Sequence, residues 1–201
     1  MIRIVVADDE EMIRTAIVSL LAMEGDLEVV AQADNGSDAV SLVRRHVPEI
    51  VLLDLEMPPT DGIEAATQIL RSAPDTRAVL MTRHARPGVL RRAMAAGITG
   101  FVPKSTSVSR LAEVLRDVAA GRRYVDPELA AQALNADACP LTDRELDALR
   151  LTRTHASVQQ IAETLHLAEG TVRNYLSSAM AKTQSESRHA AAEVAWQQGW
   201  I

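Results

Sequence analysis

Asp8 and Asp9 follow the apolar run Ile2–Ala7, Asp54 ends the run IVLLD, Thr82 ends Arg77–Thr82, and Lys104 stands just after Gly100–Val102. A carboxylate at the end of a buried strand is costly unless it is paired. Asp54 therefore either caps the turn at Met57-Pro58-Pro59 or is held there to react. Each residue alone is ordinary: an aspartate at a strand end forms turns, a lysine is solvated, a threonine caps. Residue type and position agree at four strand ends, and that agreement points to chemistry. Converging carboxylates repel one another unless a cation sits among them, and an all-oxygen ligand set completed by water suits Mg²⁺. Lys104 adds a positive charge from the opposite side, and Thr82 adds a hydroxyl donor. A metal, a cation and a hydrogen-bond donor around a carboxylate are what a transferring phosphoryl group needs. The carboxylate of Asp54 is then the nucleophile, and the product is an acyl phosphate.

The elements that must position these groups alternate in type. Apolar runs at Ile2–Ala7, Leu27–Ala33, Glu49–Leu55, Arg77–Thr82 and Gly100–Val102 read as strands. Helical patterns lie at Glu11–Met23, Ser37–Arg45, Ile63–Arg71, Gly88–Ala96 and Ser107–Ala120. In the first of these, Met12, Ile13, Ala16, Ile17, Leu20 and Leu21 are expected on one side. Continuous apolar strands between amphipathic helices imply a parallel sheet covered on both faces. The fold class is α/β: a flavodoxin-like, doubly wound sheet of five parallel strands, with its site outside the carboxyl ends of the strands. Dinucleotide binding would need G-x-G-x-x-G after the first strand. The chain has Asp8-Asp9-Glu10-Glu11 there, which repels anions.

The pattern changes after Gly121. Residues 1–120 form the first domain, 121–139 a linker with room for a short helix, and 140–201 a purely helical second domain. Thr142 with Glu145 three residues later fits a capping box ahead of an apolar run. Val158, Ile161, Ala162 and Leu165 give one apolar face, residues 166–170 a turn, and Val172, Leu176, Ala179 and Met180 the inner face of the next helix. That spacing is a helix-turn-helix. The outer face of its second helix carries Arg173, Asn174, Ser177, Ser178 and Lys182; Arg and Asn suit bidentate contacts with base edges. Thr171, Arg173, Asn174, Ser177 and Lys182 are the candidate DNA contacts. Residues 140–201 hold six Lys or Arg against seven Asp or Glu, so phosphate attraction is modest. Binding then depends on dimerisation more than on a single site.

The 201 residues are 47% hydrophobic and only 2% aromatic, so the core must be built from Val, Leu, Ile, Ala and Met. A net charge of −6 argues against a general polyanion binder but leaves room for a local DNA-reading face. Cys139 is the single cysteine and permits no internal disulfide. No apolar run approaches the roughly 20 residues of a membrane span, and there is no signal-peptide pattern. The expected compartment is the cytoplasm, with no membrane partner.

VVADDEEM, VLLDLEMPPTDGIEA, LMT and GFVPK resemble the receiver domain of bacterial response regulators across residues 1–120. Leu141 to Ile201 resembles the LuxR-type output domain of the NarL/FixJ response regulators; TVRNY and the ARPG at 85–88 look closest to the DesR-like branch. The resemblance implies that Asp54 accepts phosphate from a sensor histidine kinase and that Asp8, Asp9, Asp54 and the Glu56 backbone carbonyl organise Mg²⁺. It implies that Thr82 and Lys104 bind the phosphoryl group, and that Phe101 is the aromatic that swings inward as the threonine moves. Slow self-dephosphorylation is expected, with Glu56 and His84 flanking the site as candidate tuners of its rate. The final helix, Glu186 to Gln198, is the surface through which the family dimerises on DNA. Departures are visible: Pro103 precedes Lys104, Ala168 stands where a Ser cap is usual, and Thr183-Gln184 replaces Leu-Gly. The expected function is a phosphorylation-activated transcription factor, not an enzyme, that forms a homodimer on promoter DNA. The alternative is an interaction switch whose tail dimerises without binding DNA.

Overall fold

The computed structural model describes residues 1–83, 87–134 and 139–201. Runs of Ile, Val and Leu become strands where both faces can be buried: β1 (Ile2–Ala7), β2 (Leu27–Ala33), β3 (Ile50–Asp54), β4 (Arg77–Thr82) and β5 (Gly100–Pro103). A sixth strand, β6 (Tyr124–Val125), completes a parallel sheet in the order β2-β1-β3-β4-β5-β6. The expectation of five strands is corrected by this pair, which lies inside the segment read as linker. Two residues on the rim of a sheet leave no periodicity to read. The helices are α1 (Glu11–Leu21), α2 (Gly36–His46), α3 (Gly62–Ser72), α4 (Pro87–Ala95), α5 (Val108–Ala119) and α6 (Pro127–Leu134). The helical part contains α7 (Asp143–Arg153), α8 (Val158–Leu165), α9 (Glu169–Lys182) and α10 (Arg188–Gln197). The chain divides into a sheet unit reaching Ala131 and a helical unit ending at Ile201.

In the sheet unit, Ile4, Val6, Ile50, Leu52, Val79, Met81 and Val102 point to one face, where Leu21 of α1 and Leu111, Val114, Leu115 and Val118 of α5 close over them. The alternate residues Val5, Val51, Leu53, Leu80 and Phe101 are equally buried toward the face covered by α2 and α3. Burial on both faces is why β3 reads as an unbroken apolar run up to Asp54. Helix starts are fixed by side-chain caps that satisfy otherwise orphaned N–H groups: Asn35 for α2, Asp61 for α3 and Ser107 for α5. In α1, Ile13, Ile17, Val18 and Leu21 turn inward while Met12, Ala16 and Leu20 are exposed, so the apolar face read from the sequence splits in two.

The strand order reverses between β1 and β3, and this reversal opens a crevice at their carboxyl ends. The turn that leaves β3 is tightly closed. Gly62 begins α3 with its N–H donated to the Leu55 carbonyl at 2.8 Å. A Cβ at Gly62 would lie 2.1 Å from the Asp54 carbonyl oxygen, so backbone meets backbone there with no space for a side chain.

In the helical unit, Ala148, Leu149, Ile161, Ala162, Val172, Leu176, Ala179, Ala191, Ala192 and Ala195 are buried together, with Trp196 and Trp200 packed against them. Small alanines let the helices approach closely. The capping box expected at Thr142 and Glu145 has both of its hydrogen bonds, and Ser157 with Gln160 forms a second one on α8. His166 ends α8 in the left-handed region, and α9 begins three residues later.

Gly62→Ala is expected to destabilise the sheet unit by about 1–3 kcal/mol, the usual cost of forcing atoms into a closed core. Urea unfolding followed by far-ultraviolet circular dichroism measures it. An unchanged midpoint would show that the turn can open without cost.

Candidate functional site

Each group of the sheet-edge site is delivered by a strand end. Asp8 follows β1 and is fully buried; Asp54 closes β3 and is 4% exposed; Thr82 closes β4 and is buried. In β3 and β4, Asp54 is level with Met81, so Thr82 stands one residue beyond it. The backbone N–H of Lys104 is donated to the Thr82 carbonyl at 2.8 Å, so the two residues share one turn. Phe101, in register with Leu80, is buried beneath them.

Lys104 is the hub. Its ammonium lies 2.9 Å from Asp54 Oδ2, 2.9 Å from Asp8 Oδ2 and 3.2 Å from Glu10 Oε1. The contact with Asp8 Oδ2 is a buried ion pair. Burial pushes the Asp54 carboxyl up, to about 6, and the charge on Asp8 adds to the rise. The hydrogen bond and charge of Lys104, with the Glu56 backbone N–H, only partly offset it. Burial works against the charged form of Lys104, but the two aspartates outweigh it and hold the ammonium above its ordinary value. Asp8, Asp9, Glu10 and Asp54 each place one carboxylate oxygen within 4.8 Å of the others. A set of four converging carboxylates fits a hard divalent cation.

An open cleft above these groups is lined by Asp9, Glu10, Asp54, Glu56, Arg83 and Lys104. Glu10 and Arg83 take part although the sequence did not single them out. Arg83 forms an ion pair with Glu10 at the mouth of the cleft, and Glu10 also reaches Lys104. Burial raises the Glu10 carboxyl, but hydrogen bonds from Lys104 and Arg83 outweigh it and lower it overall. The signal available was the length of the run Asp8-Asp9-Glu10-Glu11 and the cation directly after Thr82. His84 and the first two residues of ARPG lie outside the described residues.

In the helical unit, Arg173, Asn174 and Ser177 are exposed along one side of α9, with Thr171 half-buried at its start. Val172, Leu176 and Ala179 face the core. The side chain of Ala168 cannot cap this helix, whereas Thr142, Ser157 and Ser187 cap the other three helices of the unit. Arg173 pairs with Glu169 one turn earlier on α9. Lys182, the fifth candidate, has its ammonium on both carboxylate oxygens of Glu145, at 2.9 and 2.8 Å.

Comparison with known proteins follows the same division. Residues 4–116 match the response regulator receiver domain, and residues 139–195 match the bacterial regulatory proteins of the luxR family. Over 201 residues the chain is 37% identical to the transcriptional regulatory protein DesR and 35% identical to the transcriptional regulatory protein YvfU, both of Bacillus subtilis (strain 168), with 100% of each chain covered. Among solved structures, a LuxR-family two-component response regulator from Aurantimonas sp. SI85-9A1 matches with a TM-score of 0.64 and 30% identity, over 67% of this chain and 96% of that one. Among the described residues, no helix is long and apolar enough to cross a membrane. With its acidic sheet-edge site in one unit and a helix-turn-helix in the other, the chain belongs to the NarL/FixJ-type response regulators, which join a receiver domain to a LuxR-type DNA-binding domain.

Proposed function

We propose that Asp54 is the phosphoacceptor through which a sensor histidine kinase controls DNA binding by the helical unit. The observation that carries this reading is the Asp54 carboxylate at a strand end, 2.9 Å from a buried ammonium and clustered with three further carboxylates. An oxygen of Asp54 attacks phosphorus, the phosphorus–nitrogen bond to the kinase histidine breaks, and the histidine nitrogen keeps the electron pair. Lys104 then pairs with a phosphoryl oxygen, and the Thr82 hydroxyl donates to another. Asp8, Asp9, Asp54 and the Glu56 carbonyl would hold Mg²⁺, with Glu10 near enough to assist. When bound, the ion neutralises charge on the transferring oxygens. The acyl phosphate is lost by slow self-hydrolysis, and there is no outside substrate to turn over.

Phosphorylation promotes homodimerisation, in which α10 pairs the helical units on promoter DNA. The electrostatics favour such dependence on pairing. Within the helical unit, Arg150 is paired with Asp147, Arg173 with Glu169 and Lys182 with Glu145, while Arg153 lies over Trp196. With six Lys or Arg against seven Asp or Glu in residues 140–201, the unit attracts phosphates little and binds weakly alone. Thr171, Arg173, Asn174 and Ser177 make the contacts with DNA. Moving such an equilibrium from mostly off to mostly on takes about 5.5 kcal/mol of differential stabilisation, within reach of one well-coordinated phosphate. The cytoplasm, where kinase domains and promoters meet, is the proposed compartment.

Three outcomes are expected. Incubation with a small-molecule phosphodonor and Mg²⁺ labels the protein, and Asp54→Asn falls to background; label retained on that variant would move the acceptor elsewhere. In EDTA, the Asp54 carboxyl carbon titrates by nuclear magnetic resonance near 6, well above its ordinary 3.8, with the nucleophile protonated below that pH. The midpoint climbs further in Lys104→Met, and a wild-type midpoint near 3.8 would contradict the burial argument. Gel shifts with the fragment upstream of the chain's own operon are stronger after phosphorylation. Asn174→Ala weakens them by about 1–3 kcal/mol; equal shifts with and without phosphate would sink the control mechanism.

A further inference from the structure

Glu145 sits on α7, 3% exposed, and its carboxylate is saturated. Oε1 accepts from the Ser178 hydroxyl at 2.5 Å and from Lys182 Nζ at 2.9 Å. Oε2 accepts from the Thr142 backbone N–H at 2.7 Å and from Lys182 Nζ at 2.8 Å. A carboxylate has about four acceptor positions, and these four bonds occupy them. Two of the three donor residues, Ser178 and Lys182, stand one turn apart on the same side of α9.

We propose that Glu145 is the positioning residue of α9, the helix that reads DNA: through Ser178 and Lys182 it sets where α9 lies on α7, and Lys182 serves this anchor instead of touching DNA. The proposal rests on the reading that α9 contacts DNA. Among the described residues, the other contacts of α9 with its neighbours are mainly apolar packing. Val172, Leu176 and Ala179 pack apolar surface, which has little directional preference. The amino end of α9 has no side-chain cap, and its first-turn Glu169 is paired within the helix. Charge-assisted hydrogen bonds do have direction, and these connect the far end of α9 to the capped start of α7. Lys182 also lies in the last turn of α9, where a cation complements the helix dipole. Anchored there, α9 turns Arg173, Asn174 and Ser177 outward.

Burial pushes the Glu145 carboxyl up, but bonds from Lys182, Ser178 and Thr142 more than offset this and hold it at about 2. The anchor is therefore ionised throughout the physiological range and is a fixed joint, not a pH switch.

The test uses the full chain after treatment with a small-molecule phosphodonor, and a duplex enriched by that protein from a random-sequence pool. Glu145→Gln and Lys182→Met are each expected to weaken binding by about tenfold, the worth of a hydrogen bond to a charged group. The slope of binding against salt concentration stays unchanged in both. The double variant loses little more than either single one, because the two side chains act as one unit. Lys182→Arg keeps a charged donor in reach of Glu145 and retains binding, which guards against a Lys182→Met variant that fails to fold. A salt slope reduced by about one in Lys182→Met, with Glu145→Gln binding normally, would make Lys182 a phosphate contact and overturn the proposal. A second readout needs no DNA: the Glu145 carboxyl titrates near 2 in the wild type and moves up in Lys182→Met. A midpoint that does not move would overturn the anchor even if DNA binds. If the wild type enriches no duplex while the midpoint moves, the DNA-contact reading fails and the aiming role with it, but the joint between α7 and α9 stands.

Discussion

One ammonium between two buried aspartates holds the receiver site together. Asp8 and Asp54 are brought to the same sheet edge by adjacent strands, β1 and β3, and the Lys104 ammonium, 2.9 Å from each, offsets the repulsion between their like charges. That lysine comes from β5, the far side of the reversal in strand order, and is tied to Thr82 through the backbone. The doubly wound topology is thus what makes the site possible: β1, β3, β4 and β5 each contribute a group, and all their carboxyl ends face the same way. Compensation is incomplete. Burial, with the Asp8 charge beside it, still holds Asp54 above its ordinary value, and the four clustered carboxylates fit a cation.

Glu145 makes the opposite case with the same functional group. It is as buried as Asp54, but two of its four hydrogen bonds come from an ammonium, one from a hydroxyl and one from a backbone N–H, and its carboxyl lies at about 2. Burial alone raises both groups. At Asp54 burial and the neighbouring Asp8 charge outweigh the donors, whereas at Glu145 the donors outweigh burial. The first opens to a cleft, and the second joins α7 to α9 through its hydrogen bonds.

Much of this was legible in the sequence, and the reasons are local. Strands buried on both faces leave continuous apolar runs, so β1 and β3–β5 announced themselves, and with them the positions of Asp8, Asp54, Thr82 and Lys104. Capping boxes are written in adjacent residues, so the start of α7 could be read. What escaped depends on distance in the chain. Glu10 and Arg83 meet across 73 residues, and Lys182 finds Glu145 across 37. The apolar pattern of α1 includes both core residues and the exposed Met12 and Leu20, and pattern alone does not separate them. Gly62 is required by a backbone carbonyl eight residues earlier, a contact that exists only once α3 has folded back on β3.

The rims of the sheet differ in kind. At one rim, β6 is only two residues long, and its Tyr124 N–H is spent on the carbonyl of Thr99. An extended peptide approaching from that side meets almost no ladder to continue. At the other rim, β2 runs for seven residues, but Glu28 and Gln32 stand exposed along it and Asp34 follows. Charged, short rims are how open sheets avoid adding strands from neighbouring molecules. For the proposed pair, this leaves self-association to helical surfaces, and growth into stacked sheets is disfavoured.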